Sequence, residues 1–169
     1  QAELLQLPRD GFHPMWDRDD VHDIYAEWRG VLDAYDPPRI AVAEAWVATA
    51  ERRAKYAAPT GLGQAFNFDL LEADFNAAQF RPLIADNLTE AAATGSSTTW
   101  VLSNHDVVRH ATRYALPAHA GNASHDSDER IGAAWLLAGG DLAQLDTDRG
   151  LRRAQAATLL LLALPGSTY

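Results

Sequence analysis

Two carboxylates stand at or shortly after the ends of short apolar runs, at the positions where strands of α/β proteins often end in functional residues. Glu44 follows the run Ile40-Ala41-Val42-Ala43, and Asp106 ends the stretch Trp100-Val101-Leu102-Ser103-Asn104-His105. Two such carboxyl groups can cleave a glycosidic bond, because one protonates the leaving oxygen while the other stabilises the positive centre. Burial against Trp46 would keep the Glu44 carboxyl protonated for that task. A structural ion pair between Glu44 and an arginine is the alternative.

The sequence Asn104-His105-Asp106 has two further interpretations. In one, Asp106 caps a following helix and His105 hydrogen-bonds a backbone carbonyl, which would be a structural role. In the other, Asn104 and His105 ligate a two-metal centre, since the sequence also resembles the metal-binding motif of metallophosphoesterases. Ser103 stands where that motif has Gly, and no Gly-Asp pair precedes it in the chain. A metallophosphoesterase-like hydrolase is therefore the weaker alternative.

The composition excludes several classes of function. The chain carries a net charge of −9 and no cysteine, so we expect no nucleic-acid partner and no disulfide or thiol chemistry. Its longest apolar run, residues 154–164, contains Gln155 and Thr158 and is too short to cross a bilayer, so no membrane partner is expected. We expect a cytoplasmic location. The spacing of His119 and His125 matches no common metal site, and no metal site is predicted.

The two carboxylates need elements to position them, and the sequence predicts an alternation of helices and strands. The predicted strands cover residues 40–43, 64–70 and 99–103, and a further strand begins at residue 167. The predicted helices cover residues 17–35, 50–58, 77–93, 107–114, 131–137 and 149–164. Such alternation indicates an α/β fold with parallel strands and crossover helices.

Two parallel architectures fit this alternation, an open doubly wound sheet and a (β/α)8 barrel. No Gly-rich phosphate loop follows a predicted strand, so the nucleotide-binding form of the open sheet is disfavoured. In a barrel, polar residues at the carboxyl ends of strands are catalytic by position. Glu44, Asn67 or Asp69, and Asp106 would stand at such ends.

Four stretches occur in the order and approximate spacing of a known family's motifs. They are Val42-Ala43-Glu44-Ala45-Trp46, Phe66-Asn67-Phe68-Asp69, the Val-Leu-Ser-Asn-His-Asp-Val-Val-Arg of residues 101–109, and the Leu-Ala-Leu-Pro-Gly-Ser-Thr-Tyr of residues 162–169. Together they resemble the α-amylase superfamily, glycoside hydrolase family 13, and within it the α-glucosidases and oligo-1,6-glucosidases. The resemblance implies a partial (β/α)8 TIM barrel. Residues 1–169 would then be a fragment of a single catalytic domain, truncated at both ends and spanning about strands five to seven with their flanking helices.

The resemblance also implies a role for individual residues. Glu44 would be the general acid/base, and Asp106 the carboxylate that binds sugar hydroxyls and stabilises the transition state. His105 would contact the same sugar, and Arg109 would support the site. Three aromatic side chains could line the sugar-binding cleft, namely Trp46, Phe66 and Phe68. The implied reaction is hydrolysis of terminal α-linked glucose with retention, through a covalent glucosyl intermediate.

One motif of that family is missing from this chain. Its nucleophile lies in a Gly-x-Arg-x-Asp sequence, which does not occur in residues 1–169. We therefore expect the segment to be inactive alone, as part of a longer α-glucosidase, and a noncatalytic sugar-binding barrel is the alternative. Without the other half of the barrel, exposed strand edges would favour self-association. The expected substrate is an α-glucoside oligosaccharide; no cofactor is expected to be required, although a structural Ca²⁺ could be bound by ligands outside this chain.

Overall fold

The computed structural model describes residues 10–117 and 128–169, and within these ranges the fold is α/β. The strands are β1 (Ala41–Ala43), β2 (Gly63–Asn67), β3 (Thr98–Trp100) and β4 (Ser167–Thr168). The helices are α1 (Val21–Asp33), α2 (Ala50–Ala57), α3 (Asp69–Glu72), α4 (Ala77–Thr94), α5 (His110–Arg113), α6 (Asp128–Leu137) and α7 (Thr147–Ala163), and a short 3-10 helix spans Leu142–Gln144. Of the helices in these ranges, none is long and apolar enough to span a membrane.

The four strands form one sheet in the order β1-β2-β3-β4. Strands β1 and β2 are parallel, with Ala41 opposite Gly63. Strands β3 and β4 are also parallel, with Thr99 opposite Ser167 and Trp100 opposite Thr168. Parallel pairing requires crossover connections, which the intervening helices supply. The predicted α/β fold with parallel strands is therefore confirmed, while closure into a (β/α)8 barrel stays a prediction.

The chain divides into two compact units. The first comprises Gln1–Phe66 and Asn87–Thr98, of which residues 10–66 and 87–98 are described. Its buried apolar cluster consists of Ala43, Tyr56, Ala57, Leu62 and Ala65. Strand β1 and helix α2 therefore contribute to the same core, which fixes the direction in which the chain leaves β1.

A polar network in the first unit determines where helix α1 begins. Asp17 has a φ of 49°, a left-handed conformation that Asp tolerates better than most residues. Its buried carboxylate accepts hydrogen bonds from Nε of Arg52 and, at 2.9 Å, from the hydroxyl of Tyr56. Burial, followed by this bond to Asp17, raises the pKa of Tyr56. Helix α1 therefore begins at Val21, four residues later than predicted, because Asp17 binds α2 instead of opening α1.

The second unit comprises Asn67–Asp86 and Thr99–Tyr169, described except for residues 118–127. Trp100 and Val101 are fully buried, and the indole nitrogen of Trp100 donates to the carbonyl of Pro165 at 2.9 Å. Helix α7 packs closely on α5 at Gly150, where an added Cβ would lie 2.4 Å from the carbonyl oxygen of Ala111. This packing fixes helix α5, which follows the loop that carries Asp106.

Several predicted elements are shorter in the structure, and the strand predicted over residues 99–103 ends at Trp100. The strand predicted over residues 64–70 ends at Asn67, and helix α3 begins two residues later. The Oδ1 atom of Asn67 accepts the backbone N–H of Asp69 at 2.9 Å, which turns the chain at this point. The helix predicted over residues 107–114 is only the single turn His110–Arg113.

Candidate functional site

Glu44 lies directly beyond β1 and is exposed, so the predicted burial of this carboxyl is wrong. Strand β1 has only three residues, and its middle residue, Val42, is 41% exposed. Trp46 is itself 46% exposed and does not enclose the carboxyl in an apolar environment. Within the described residues no arginine forms an ion pair with Glu44, so the structural alternative is not observed either. Glu44 is therefore an accessible carboxylate at the end of a parallel strand.

The chain beyond β3 passes from a buried segment into an exposed turn. Leu102 is buried, and Asn104 is 3% exposed, whereas the side chains of His105 and Asp106 are 70% and 62% exposed. The Oδ1 atom of Asn104 accepts the backbone N–H of Asp106 at 3.0 Å. Nε2 of His105 lies 3.5 Å from Oδ1 of Asp106. The structure thus brings two predicted site residues together on the surface, at the carboxyl end of a parallel strand.

The structural interpretation of Asp106 as a helix cap is wrong. The next helix, α5, begins at His110, and its N-cap residue is Arg109. The backbone carbonyls and amides between Asp106 and this helix belong to a turn, so the carboxylate of Asp106 is free of any capping role within the described residues. Arg109 is exposed at the end of this turn. Its predicted supporting role stays a prediction.

A hydrogen bond closes the base of this turn. The hydroxyl of Ser103 and Nδ1 of His110 are 2.9 Å apart and share a proton supplied by either group, depending on the tautomer of His110. Burial, followed by the charges of Arg113 and Arg109, lowers the pKa of His110. The lowered pKa favours the neutral imidazole at pH 7, and its Nδ1 accepts a hydrogen bond from the Ser103 hydroxyl or donates one to it, depending on the tautomer. Sequence reasoning missed this pair, because residues seven positions apart carry no local signal of contact.

Arg113 is the buried arginine of this region, with 1% exposure. Its guanidinium donates to the carbonyl of Leu71 at 2.5 Å and to the carbonyl of Leu102 at 2.7 Å. It therefore ties the segment after β2 to the segment after β3. The helix predicted over residues 107–114 contains both Arg109 and Arg113, and only the family resemblance selected Arg109. Their spacing of four residues gave no reason to expect that Arg113 would be the buried one.

The residues at the end of β2 are buried. Phe66 is 8% exposed, Phe68 6% and Asn67 1%. Phe68 is the N-cap residue of α3. Aromatic side chains at this depth contribute apolar packing, and a role for Phe66 and Phe68 in lining a sugar-binding cleft stays a prediction.

The predicted site residues are divided between the two units. Glu44, Trp46 and Phe66 belong to the first, and Phe68, His105, Asp106 and Arg109 belong to the second. Among the described residues there is no group of three or more His, Asp or Glu side chains that could hold a metal ion. His119 and His125 lie outside the described residues. The action of Glu44 and Asp106 as a catalytic pair stays a prediction.

Comparison with known proteins gives a structural relationship. Neither a protein-family model nor a curated protein sequence matches the chain. The crystal structure of an α-glucosyl transfer enzyme, XgtA, is similar to it, with 30% sequence identity and a TM-score of 0.50. The similarity covers 58% of this chain and 18% of the length of that enzyme. The similarity thus extends over more than half of this chain, but this chain spans less than a fifth of the length of that enzyme.

Proposed function

We propose that the protein is part of a carbohydrate-active enzyme of the α-amylase superfamily that hydrolyses terminal α-linked glucose with retention of configuration. The observation that carries this proposal is the exposed His105–Asp106 pair on the turn after β3. The buried Asn104 and the hydrogen bond between Ser103 and His110 hold this turn in place. The turn follows the carboxyl end of a parallel strand, which is where α/β enzymes bind ligands. The similarity to an α-glucosyl transfer enzyme supports the same class of substrate.

Asp106 has the chemistry that a sugar ring requires. An ionised carboxylate only accepts hydrogen bonds and has room for several donors, so it can accept two neighbouring sugar hydroxyls at once. Its negative charge also stabilises an oxocarbenium-like centre in the transition state. His105, 3.5 Å away, can contact a hydroxyl of the same sugar. A neutral oligosaccharide is also compatible with the chain's net charge of −9, which would repel an anionic substrate.

Glu44 is the proposed general acid/base, and Trp46 offers an exposed aromatic face close to it along the chain. Arg109 is proposed to support the site, and Phe66 and Phe68 are proposed to line the sugar-binding cleft. A retaining mechanism also needs a carboxylate nucleophile, which we propose lies in the longer enzyme outside residues 1–169. The bond from the anomeric carbon to the leaving oxygen breaks as the nucleophile attacks, and Glu44 protonates that oxygen. Glu44 then removes a proton from the water that releases glucose.

Transfer of glucose to another sugar is the second candidate reaction. It is favoured by the similar solved enzyme, whose name is that of an α-glucosyl transfer enzyme. Hydrolysis and transfer share the covalent intermediate and differ only in whether water or a sugar hydroxyl attacks it. Comparing released glucose with released p-nitrophenol, with and without added cellobiose, distinguishes them, because this β-linked acceptor is not a substrate for cleavage of α-linked glucose. Equal amounts indicate hydrolysis, and a shortfall of glucose that grows with the concentration of cellobiose indicates transfer.

The test of the proposed function uses the longer enzyme that contains this chain. Glu44→Gln and Asp106→Asn are compared with the wild type on p-nitrophenyl α-glucoside and on a disaccharide substrate. We expect each to lower kcat/KM for the disaccharide by about 10²–10⁴-fold. Because p-nitrophenol leaves without protonation, Glu44→Gln should lose less on p-nitrophenyl α-glucoside than on the disaccharide.

Two exposed carboxylates provide matched controls for this test. Glu27→Gln lies on α1 in the same unit as Glu44, and Asp86→Asn lies on α4 in the same unit as Asp106. Both should retain the wild-type kcat/KM. Wild-type activity in Glu44→Gln or Asp106→Asn would contradict the assignment, and sugar binding without any cleavage by the wild type would indicate a noncatalytic module instead.

A further inference from the structure

The second unit contains two buried asparagines that form the same turn at the ends of neighbouring strands in the chain. Asn67 ends β2, and its Oδ1 accepts the N–H of Asp69 at 2.9 Å. Asn104 follows β3, and its Oδ1 accepts the N–H of Asp106 at 3.0 Å. In both turns the side-chain carbonyl of the asparagine accepts the backbone N–H two residues later, in place of a carbonyl of a neighbouring strand. The chain therefore changes direction within two residues.

The two turns have different consequences for the residues that follow. After Asn67 the chain buries Phe68 and enters helix α3, so the turn serves the packing of the core. After Asn104 the next two side chains, His105 and Asp106, are 70% and 62% exposed. At this second turn a buried asparagine therefore supports an exposed functional pair.

The segment on either side of Asn104 is held firmly, whereas the carboxylate of Asp106 is not. The preceding carbonyl, of Leu102, accepts a hydrogen bond from the buried Arg113 at 2.7 Å. Ser103 and His110 close the base of the turn at 2.9 Å. Among residues 10–117 and 128–169, the carboxylate of Asp106 approaches only the ring of His105, at 3.5 Å, and both of these side chains are exposed. The direction in which this carboxylate leaves the backbone is therefore set by the backbone turn, and so by Asn104.

We propose that Asn104 is a positioning residue, whose buried Oδ1 sets the direction of the Asp106 carboxylate by holding the Asp106 N–H. This inference rests on the proposed function of Asp106 in sugar binding. Asn104 is 3% exposed, and its Oδ1 accepts the backbone N–H of Asp106, so its effect on the site would pass through Asp106. Misplacement of a catalytic group by about 1 Å can cost on the order of 10²-fold in rate, which sets the expected size of the effect.

Three variants of the longer enzyme test the role of this hydrogen bond. Asn104→Ala removes the acceptor. Asn104→Ser leaves a side chain of nearly the same volume as alanine, but it retains a hydroxyl that can form a similar, weaker turn. We expect Asn104→Ala to lower kcat/KM about 10²-fold and Asn104→Ser to recover part of that loss. The control is Asn76→Ala at an exposed position. It removes an equivalent hydrogen bond, in which the backbone N–H of Ala78 donates to Oδ1 of Asn76 at 2.8 Å. It should retain the wild-type kcat/KM.

A double-mutant comparison shows whether Asn104 acts through Asp106. Asn104→Ala is introduced into the Asp106→Asn enzyme, where the carboxylate to be positioned is already absent. In that background Asn104→Ala should cause little of the 10²-fold loss in kcat/KM, because the effects of two substitutions that act through the same group are not additive. An equal loss in both backgrounds would overturn the proposal, since Asn104 would then act on something else. Amide hydrogen exchange at Asp106 provides a readout besides activity, with faster exchange expected in Asn104→Ala and partial protection in Asn104→Ser.

The outcomes separate this inference from the proposed function. If Asp106→Asn retains wild-type activity, the proposed function is wrong, and the inference that depends on it is overturned too. If Asp106→Asn loses activity but Asn104→Ala keeps the wild-type kcat/KM, the proposed function survives and the positioning role is wrong. An unchanged exchange rate at the Asp106 amide in Asn104→Ala would also contradict the inference.

Discussion

Replacement of Gly150 by alanine tests the close packing of helix α7 on helix α5, which follows the turn carrying Asp106. A Cβ at this position would lie 2.4 Å from the carbonyl oxygen of Ala111 and 2.6 Å from Cβ of Ala115. Ordinary contacts of a Cβ begin at 3.4 Å, so the two helices must separate by about 1 Å (3.4 − 2.4). The nearest atom belongs to the backbone and cannot rotate away. The substitution must therefore move one helix.

The size of the effect follows from two opposing terms. Alanine is a better helix former than glycine by about 1 kcal/mol. Overpacking of a well-packed core costs about 1–3 kcal/mol. We therefore expect Gly150→Ala to lower the free energy of unfolding by between 0 and about 2 kcal/mol.

Gly30 provides the matched control, because it also lies inside a helix, α1, but is exposed. No atom lies within 4 Å of the Cβ that would be added there. Gly30→Ala should therefore stabilise the protein by up to about 1 kcal/mol. Because the helix-propensity term is common to both variants, the difference between them, about 1–3 kcal/mol, measures the packing term alone.

Urea unfolding followed by circular dichroism measures both free energies of unfolding. The reasoning is refuted if Gly150→Ala is as stable as Gly30→Ala. That result would mean that α7 and α5 are not in close contact at Gly150.

Three further predictions concern individual hydrogen bonds and one ionisation. Thr49→Ala removes the hydrogen bond that caps α2, in which the N–H of Arg52 donates to Oγ1 of Thr49 at 3.3 Å. It should lower the free energy of unfolding in urea by about 1 kcal/mol, whereas Thr49→Ser should retain most of the wild-type stability. Arg113→Lys replaces a planar donor that bonds two buried carbonyls with a single ammonium group, and we expect a loss of about 2 kcal/mol, with wild-type stability as the contradicting result. Because the pKa of His110 is lowered in the folded protein, the imidazole in the unfolded chain is protonated at a higher pH, near its ordinary pKa of about 6.5. The free energy of unfolding should therefore decrease as the pH falls below about 6.5, and it should level off once the folded protein is protonated too. Thermal unfolding of the wild type and His110→Gln between pH 7.5 and 5 tests this, and an equal slope in both proteins would show that His110 does not contribute.

Several helices could be predicted from the sequence almost to their ends. The predicted ranges 50–58, 77–93 and 149–164 correspond to Ala50–Ala57, Ala77–Thr94 and Thr147–Ala163. Their signals are local, since the periodicity of apolar residues and a capping threonine act within a few residues of one another. Thr49, whose residue type favours the N-cap position, is the N-cap residue of α2, and its side chain accepts the backbone N–H of Arg52. Parallel pairing also followed from the alternation of helices and strands.

The lengths of the elements around the candidate site could not be predicted in the same way. Phe66 and Phe68 suggested a strand that continues past Asn67, because their spacing of two residues fits a strand. The buried Oδ1 of Asn67 instead turns the chain and starts α3. An asparagine of this kind competes with the strand for a backbone N–H, and the outcome depends on whether the surrounding core encloses it.

The sequence by itself determined which chemical groups follow the strands, namely Glu44, His105 and Asp106, because a local apolar run predicts that a strand is present, although not the residue at which it ends. Only the tertiary structure decided that Glu44 is exposed and that Arg113, not Arg109, is the buried arginine. Both arginines have the same chemistry and lie four residues apart. Which one is buried depends on close approaches by residues distant in the chain, such as Gly132 of α6, whose added Cβ would lie 2.9 Å from Cγ of Arg113. Burial is a property of long-range packing, and a local pattern does not contain it.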